Sequence, residues 1–195
     1  MEVAHENLNR FLQSTGFINQ RQAEEIAEAF AYKKISRNDF QLPTGKVCDE
    51  YLFLNDGLMR AFACDVNGND VTTGFYAAGQ VVFEVASFFN RTPSQESIQA
   101  LTDCTGWFIT HKQLNALFHT RPEFREFGRG MLVRGYAALK ARMLAVITQT
   151  AATRYAGLMK AHPEISQYAP LKYIASYLGV TDTSLSRIRK GDSGK

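Results

Sequence analysis

The sequence predicts an α+β protein in which a small all-β roll is followed by a long helix and a C-terminal helix-turn-helix. Three observations predict it. Glycines at 45, 57, 68 and 79 recur every 11 or 12 residues through a stretch rich in aromatic and β-branched residues. Apolar residues from Leu132 to Val146 then fall at the spacing of a coiled-coil seam. Finally, residues 171–190, LKYIASYLGVTDTSLSRIRK, fill the constrained positions of a helix-turn-helix.

Residues 7–32 carry Leu8, Phe11, Leu12, Ile26, Ala27, Ala29 and Phe30 at helical spacing around a break at Thr15-Gly16, which fits two short helices. From Phe40 to Thr110 the texture becomes that of strands. Residues 51–54, 58–62, 71–73, 98–101 and 107–110 are short aromatic or β-branched runs, separated by turn signals such as Asn55-Asp-Gly57 and Asn67-Gly68. The even glycine rhythm is that of antiparallel strands joined by tight turns, where glycine supplies the positive φ that other residues resist. Together these signals predict a small all-β roll or barrel.

After Arg121-Pro122 there is no further proline through Gln149. Leu132, Tyr136, Leu139, Met143 and Val146 follow at spacings of 4, 3, 4 and 3. Arg125, Arg129, Arg134, Lys140 and Arg142 leave much of the helix polar, so the apolar stripe needs a cover, either the roll or the same helix of a second copy. The second copy is the expected cover, because Gly128, Gly135, Ala138 and Ala145 would let two backbones approach closely.

Three helical patterns lie beyond Ala151. The first, residues 153–161, is closed by His162-Pro163, since a residue before proline resists the α conformation. The other two follow Pro170. Between them Ala175 supplies a close crossing and Gly179 the turn, while Ile174, Leu178, Val180, Leu185 and Ile188 face inward. Thr181 is placed to cap the second helix. If that helix enters a DNA major groove, Asp182, Thr183, Ser186, Arg187 and Lys190 lie outward near the bases. Arg187 suits the two acceptors of a guanine edge, and Thr183 and Ser186 suit single bonds or a thymine methyl. Thr181, Arg189 and Lys190 are expected to hold phosphates. Asp182 either accepts from a cytosine amino group or stabilises the helix N-terminus through its dipole.

Charge agrees with this division. The net +3 of the 195-residue chain resolves into 9 Lys+Arg against 14 Asp+Glu over residues 1–120, and 13 against 5 over residues 121–195. Basic charge confined to one end suggests a polyanionic partner. No apolar run approaches the roughly 18–20 residues of a membrane span, and the polar start MEVAHENLNR lacks the plan of a signal peptide, so a cytoplasmic protein is expected. Cys48, Cys64 and Cys104 form no CxxC, which argues against a disulfide framework, zinc or an iron–sulfur cluster. GxSxG, P-loop and GxGxxG motifs are absent, and the four histidines are too dispersed for a cupin-like metal centre, so no catalytic or metal residue is assigned.

A β-roll, long helix and helix-turn-helix in that order resemble the Crp/Fnr family of bacterial transcription regulators. The resemblance is carried by the four paced glycines, by FEVASFFNRTPSQESIQAL at 83–101 and by IASYLGVTDTSLSRIRK at 174–190. The last segment looks especially like short-winged members of the Bacteroidetes type. The resemblance implies a jelly-roll, cyclic-nucleotide-binding-like sensor over residues 1–121, a dimerisation helix over 122–149 and a winged-helix-type DNA-binding module over 150–195. It implies a homodimer on a palindromic double-stranded operator, with RNA polymerase a partner if the protein activates. In cAMP-binding members a cassette begins Gly-Glu and ends Arg-Ser. Here Glu84 matches the glutamate and is followed by Val85, but Phe83 replaces the glycine, while Ser94 and Gln95 stand at the Arg-Ser positions. Arg91 is the nearest cation, and Leu139 and Lys140 occupy the positions of the hydroxyl pair that touches adenine. A buried phosphate without its arginine loses a charge-assisted contact worth about 1.5–3 kcal/mol. The expected effector is therefore a small molecule other than cAMP, with no resident cofactor. The alternative is a cyclic-nucleotide-binding signalling or interaction module that does not bind DNA.

Overall fold

The computed structural model describes residues 5–191; the first four residues of the polar N-terminus and the last four of the C-terminal segment lie outside the described residues. Two short helices, α1 (Glu6–Gln13) and α2 (Gln20–Ala27), stand where the broken apolar pattern places them. The Asn19 side chain accepts from the Gln22 amide at 3.0 Å while the Gln22 side chain accepts from the Asn19 amide at 2.9 Å, a capping box that starts α2.

The roll is two four-stranded antiparallel sheets. One has the order β1 (Ala31–Ile35), β8 (Cys104–Thr110), β3 (Glu50–Asp56), β6 (Val81–Val82). The other has the order β2 (Phe40–Leu42), β7 (Ser97–Ala100), β4 (Leu58–Cys64), β5 (Asp70–Ala77). All five expected strand runs are present. Strands β1, β2 and β6 come in addition, as do the short helix α3 (Val85–Asn90) and helix α4 (His111–Thr120). Gly45, Gly57, Gly68 and Gly79 all have positive φ. At Gly57, with φ of 102°, a Cβ would also lie 2.5 Å from Cys104 Sγ, so both backbone and packing require glycine there.

Strand β4 explains how the roll meets the rest of the chain. Successive side chains of a strand point to opposite faces. Met59 and Ala61 enter the core of the roll, whereas Leu58 enters a second buried cluster with Ile165, Ile174, Ala175, Leu178 and Leu185. Arg60 points the same way as Leu58. Its side chain has no solvent exposure and its guanidinium lies between two rings, 3.6 Å from the centroid of Tyr173 and 4.2 Å from that of Phe62.

The second cluster belongs to α6 (Ala151–Ala161), α7 (Pro163–Tyr168), α8 (Leu171–Leu178) and α9 (Asp182–Arg189). Helix α7 comes in addition to the three helices expected: Pro163 does end α6, but it also sits in the first turn of α7, where its missing N–H costs nothing. Among the described residues no strand follows β8, so this module is wholly helical up to Gly191.

The long helix α5 spans Pro122–Thr148, 27 residues. Only Phe124 and Phe127 in its first turns are buried. Gly128 faces α4 of the same chain, where a Cβ would lie 2.4 Å from the Phe118 ring. Gly135 meets nothing within 4 Å.

Arg60 supplies the first test of this architecture. Its Nε donates to Thr72 Oγ1 at 2.8 Å, but Nη1 and Nη2 find no hydrogen-bond acceptor, and the Asp70 carboxylate stands off at 3.6 Å. Burial lowers its pKa from the ordinary arginine value. Stacking on two rings contributes about 2 kcal/mol, while desolvating an incompletely paired ion costs several. Arg60→Met, which keeps the bulk between the rings, is expected to leave stability in urea unchanged or higher. Arg60→Ala, which opens a cavity, is expected to lose about 2–4 kcal/mol.

Candidate nucleic-acid interface and effector site

Helix α8 closes with Gly179 at φ 69°, and the Val180 amide donates back to the Ala175 carbonyl at 3.0 Å, which turns the chain into α9. The Thr181 side chain then caps α9, accepting from the Ser184 amide at 3.2 Å. Ala175 and Leu185 have no solvent exposure, so the two helices cross closely. Ile188 is only half-buried.

The outer face of α9 carries the residues expected to meet DNA. Thr181, Asp182, Thr183, Arg187, Arg189 and Lys190 are exposed and Ser186 is half-buried. Asp182 lies in the first turn, and Arg187 and Arg189 in the last, signs that the helix dipole favours at both ends. Among the described residues no carboxylate pairs with Arg187, Arg189 or Lys190.

Other basic side chains of the C-terminal half turn inward. Arg142 of α5 donates to the Thr73 carbonyl and, at 3.4 Å, to the Tyr177 carbonyl, with its guanidinium 4.0 Å from the Tyr177 ring centroid. Arg154 of α6 donates to the Leu178 carbonyl at 2.9 Å. Both neutralise the negative end of α8. A polar chain completes the junction: the Ser176 hydroxyl donates to Thr72 Oγ1 at 2.9 Å and accepts from the Thr72 amide at 3.1 Å. Sequence reasoning missed this junction. Its one visible signal is a lone arginine inside the otherwise apolar run Leu58-Met-Arg-Ala-Phe62.

The second candidate site is the cassette around α3. The Glu84 carboxylate caps α3, accepting from the Ala86 amide at 3.0 Å and the Ser87 amide at 2.6 Å. Arg91 ends α3 in the left-handed conformation, φ 57°, where glycine is usual. Its side chain explains the choice: Nη1 donates to the Cys48 carbonyl at 2.9 Å and Nη2 to the Asp49 carboxylate at 2.6 Å. Ser94 is 3% exposed and closes a tight turn, with its hydroxyl donating to the Glu96 carbonyl and accepting from the Glu96 amide. Gln95 and Lys140 are exposed.

Between this cassette and α5 lies a cavity of about 720 Å³ that takes in Val85 and Leu139 but not Glu84, Arg91, Ser94, Gln95 or Lys140. The sequence-predicted ligand residues are thus divided. Two line an apolar cavity, whereas Glu84 caps the Ala86 and Ser87 amides, Arg91 bonds Cys48 and Asp49, and Lys140 faces solvent. The two buried thiols, Cys48 and Cys104, are pushed above the ordinary cysteine pKa chiefly by desolvation. Among the described residues no group of three His, Cys, Asp or Glu side chains is placed to hold a metal ion, and no helix is long and apolar enough to cross a membrane.

Residues 32–121 match the family model of the cyclic nucleotide-binding domain. No curated protein matches the chain by sequence. Among solved structures, the chain is similar to a protein of Silicibacter pomeroyi DSS-3 proposed to be a cAMP-binding regulator, at 18% identity and TM-score 0.69 over 96% of this chain and 88% of that one. It is similar to FixK2 of Bradyrhizobium japonicum at 14% identity and TM-score 0.69, over 85% and 89% of the two chains. It is also similar to the catabolite activator protein of Thermus thermophilus at 15% identity and TM-score 0.58, over 94% and 86%. The fold is therefore that of the Crp/Fnr-type regulators. Within it, the segment 32–121 that is similar to the cyclic nucleotide-binding domain departs from the cAMP pattern at Phe83, Ser94 and Gln95.

The cap on α3 gives a direct test. Glu84→Ala leaves two α3 amides without their acceptor and is expected to lower stability by about 0.5–2 kcal/mol in urea denaturation. Glu84→Asp, which can still cap, should recover most of it. If Glu84→Ala were neutral, the carboxylate would not be structurally committed.

Proposed function

We propose that the protein is a dimeric DNA-binding transcription regulator of the Crp/Fnr type, controlled by a small effector other than cAMP. Residues 1–121 form the sensor, residues 122–149 pair two copies and residues 150–195 bind DNA. The observation that carries this is the outer face of α9, where Thr181, Thr183, Arg187, Arg189 and Lys190 stand exposed on a closely packed helix-turn-helix. Arg187, with Thr183 and Ser186, reads base edges; Thr181, Arg189 and Lys190 hold phosphates; Asp182 accepts from a cytosine amino group or serves the dipole. An activator would in addition contact RNA polymerase.

Pairing is supported by the face of α5 that nothing among the described residues covers. Leu132, Tyr136, Leu139, Met143 and Val146 are 53%, 72%, 64%, 47% and 57% exposed. An apolar stripe of this length on a monomer marks an interaction surface, and its 4-3-4-3 spacing suits a second copy of the same helix.

The reading of the effector rests on charge. Arg91 is engaged with Asp49 and the Cys48 carbonyl, and the amides at the start of α3 are engaged with Glu84. A cyclic phosphate would have to displace both. In calorimetry cAMP is expected to give no binding in the low micromolar range, and binding there would overturn this part of the proposal.

DNA binding is tested by gel shift at stepped salt, starting from 50 mM, with random duplex DNA. Affinity should fall steeply as salt rises. Arg187→Ala should cost about 1–3 kcal/mol on a selected site, and Lys190→Ala should reduce the salt slope by about 1. The double variant Leu139→Glu, Met143→Glu should lose dimers in sedimentation and lose operator binding together. Failure of the whole chain to bind DNA at 50 mM salt, with or without effectors, would favour the signalling or interaction module instead.

A further inference from the structure

The cavity between the cassette and α5 is built for something a cyclic nucleotide is not. Its floor is the buried side chains of Leu114, Phe124 and Phe127, at 2%, 1% and 1% exposure. Its rim is Val85 and Phe89 of α3 on one side and α5 on the other. At about 720 Å³ it is within the roughly 300–1,000 Å³ range of small-molecule sites.

Among the described residues, one charged side chain lines the cavity, Arg134. It donates to the Ser14 carbonyl at 3.0 Å and lies 3.4 Å from the Ser14 hydroxyl, and no carboxylate among the described residues pairs with it. An apolar cavity with a single exposed guanidinium is complementary to a molecule with an apolar body and one anionic head.

We infer that this cavity binds an amphipathic carboxylate of fatty-acid type, its chain against the Phe124–Phe127 floor and its head on Arg134. The inference names the effector class for the sensor proposed above and rests on that reading only for its regulatory meaning. Binding itself does not require DNA or a dimer. Because α5 supplies both the cavity wall at Leu132 and Leu139 and the stripe on which a second copy would pack, occupancy of the cavity bears directly on pairing.

The test is calorimetric titration of the whole chain with dodecanoate, below its micelle concentration, and with dodecanol. Dodecanoate should bind at one site per chain. Arg134→Gln should weaken dodecanoate about tenfold and leave dodecanol unchanged, as expected for loss of one charge-assisted contact. Gly135→Leu projects into open space next to the cavity, so it should fold normally and abolish binding of both probes. Val85→Trp fills the cavity from the opposite rim and should do the same if Gly135→Leu proves unstable. Absence of dodecanoate binding, or full binding by both filled variants, would overturn the inference. A chain that still dimerises and binds DNA without binding dodecanoate leaves the proposed function standing and removes only the effector class; loss of DNA binding with dodecanoate binding intact does the reverse.

Discussion

Arg60 sits where two hydrophobic cores meet, a charge with no solvent exposure clasped between a ring of the roll and a ring of the helical module. Neighbouring residues of the same strand divide between those cores, Met59 and Ala61 to one and Leu58 to the other. A helix-turn-helix attached only through the end of α5 would be free to swing. Here α8 is instead held against β4 and β5 through the Arg60–Thr72–Ser176 hydrogen-bonded chain and the stacked Tyr173. The unpaired guanidinium nitrogens contribute little net stability, so the value of the contact lies in orientation. The position of α9 relative to the roll follows from it.

The basic charge of the C-terminal half divides by the same geometry. Arg142 and Arg154 turn in to the C-terminal carbonyls of α8, where a cation stabilises the helix end. Arg187, Arg189 and Lys190 turn out. Positive net charge alone does not separate these two uses, and a count of lysines and arginines overstates the surface available to a polyanion. The roll has a parallel economy. Glu84, at the glutamate position of a cAMP-type cassette, and Arg91, the nearest cation, are both engaged within the chain, and the cavity beside α3 is apolar.

How much of this was legible in the sequence depended on whether a local rule determined the outcome. The glycine rhythm was legible because positive φ in a tight turn is a backbone requirement, and Gly45, Gly57, Gly68 and Gly79 all meet it. The helix-turn-helix was legible because Ala175, Gly179 and Thr181 each answer a separate steric or capping demand. Strand β1 was not, because Ala31–Ile35 follows a helical pattern without a break and carries two lysines; its pairing with β8 decides it. Strand β6 is two residues long and has no period of its own. Gly128 looked like a helix-pairing residue because spacing along α5 cannot say that Phe118 comes over from α4. The roles of Arg60 and Arg142 arise from contacts over long sequence separations, from Arg142 to Thr73 for example, and no local pattern encodes them.

The central claim is that two copies joined along α5 present two α9 helices to one DNA duplex. Selection of bound sequences from a random duplex pool tests it most directly. The account predicts enrichment of an inverted repeat whose half-sites lie about one helical turn apart, roughly 34–36 Å centre to centre. Enrichment of a single asymmetric site, or of no sequence at all, would contradict it.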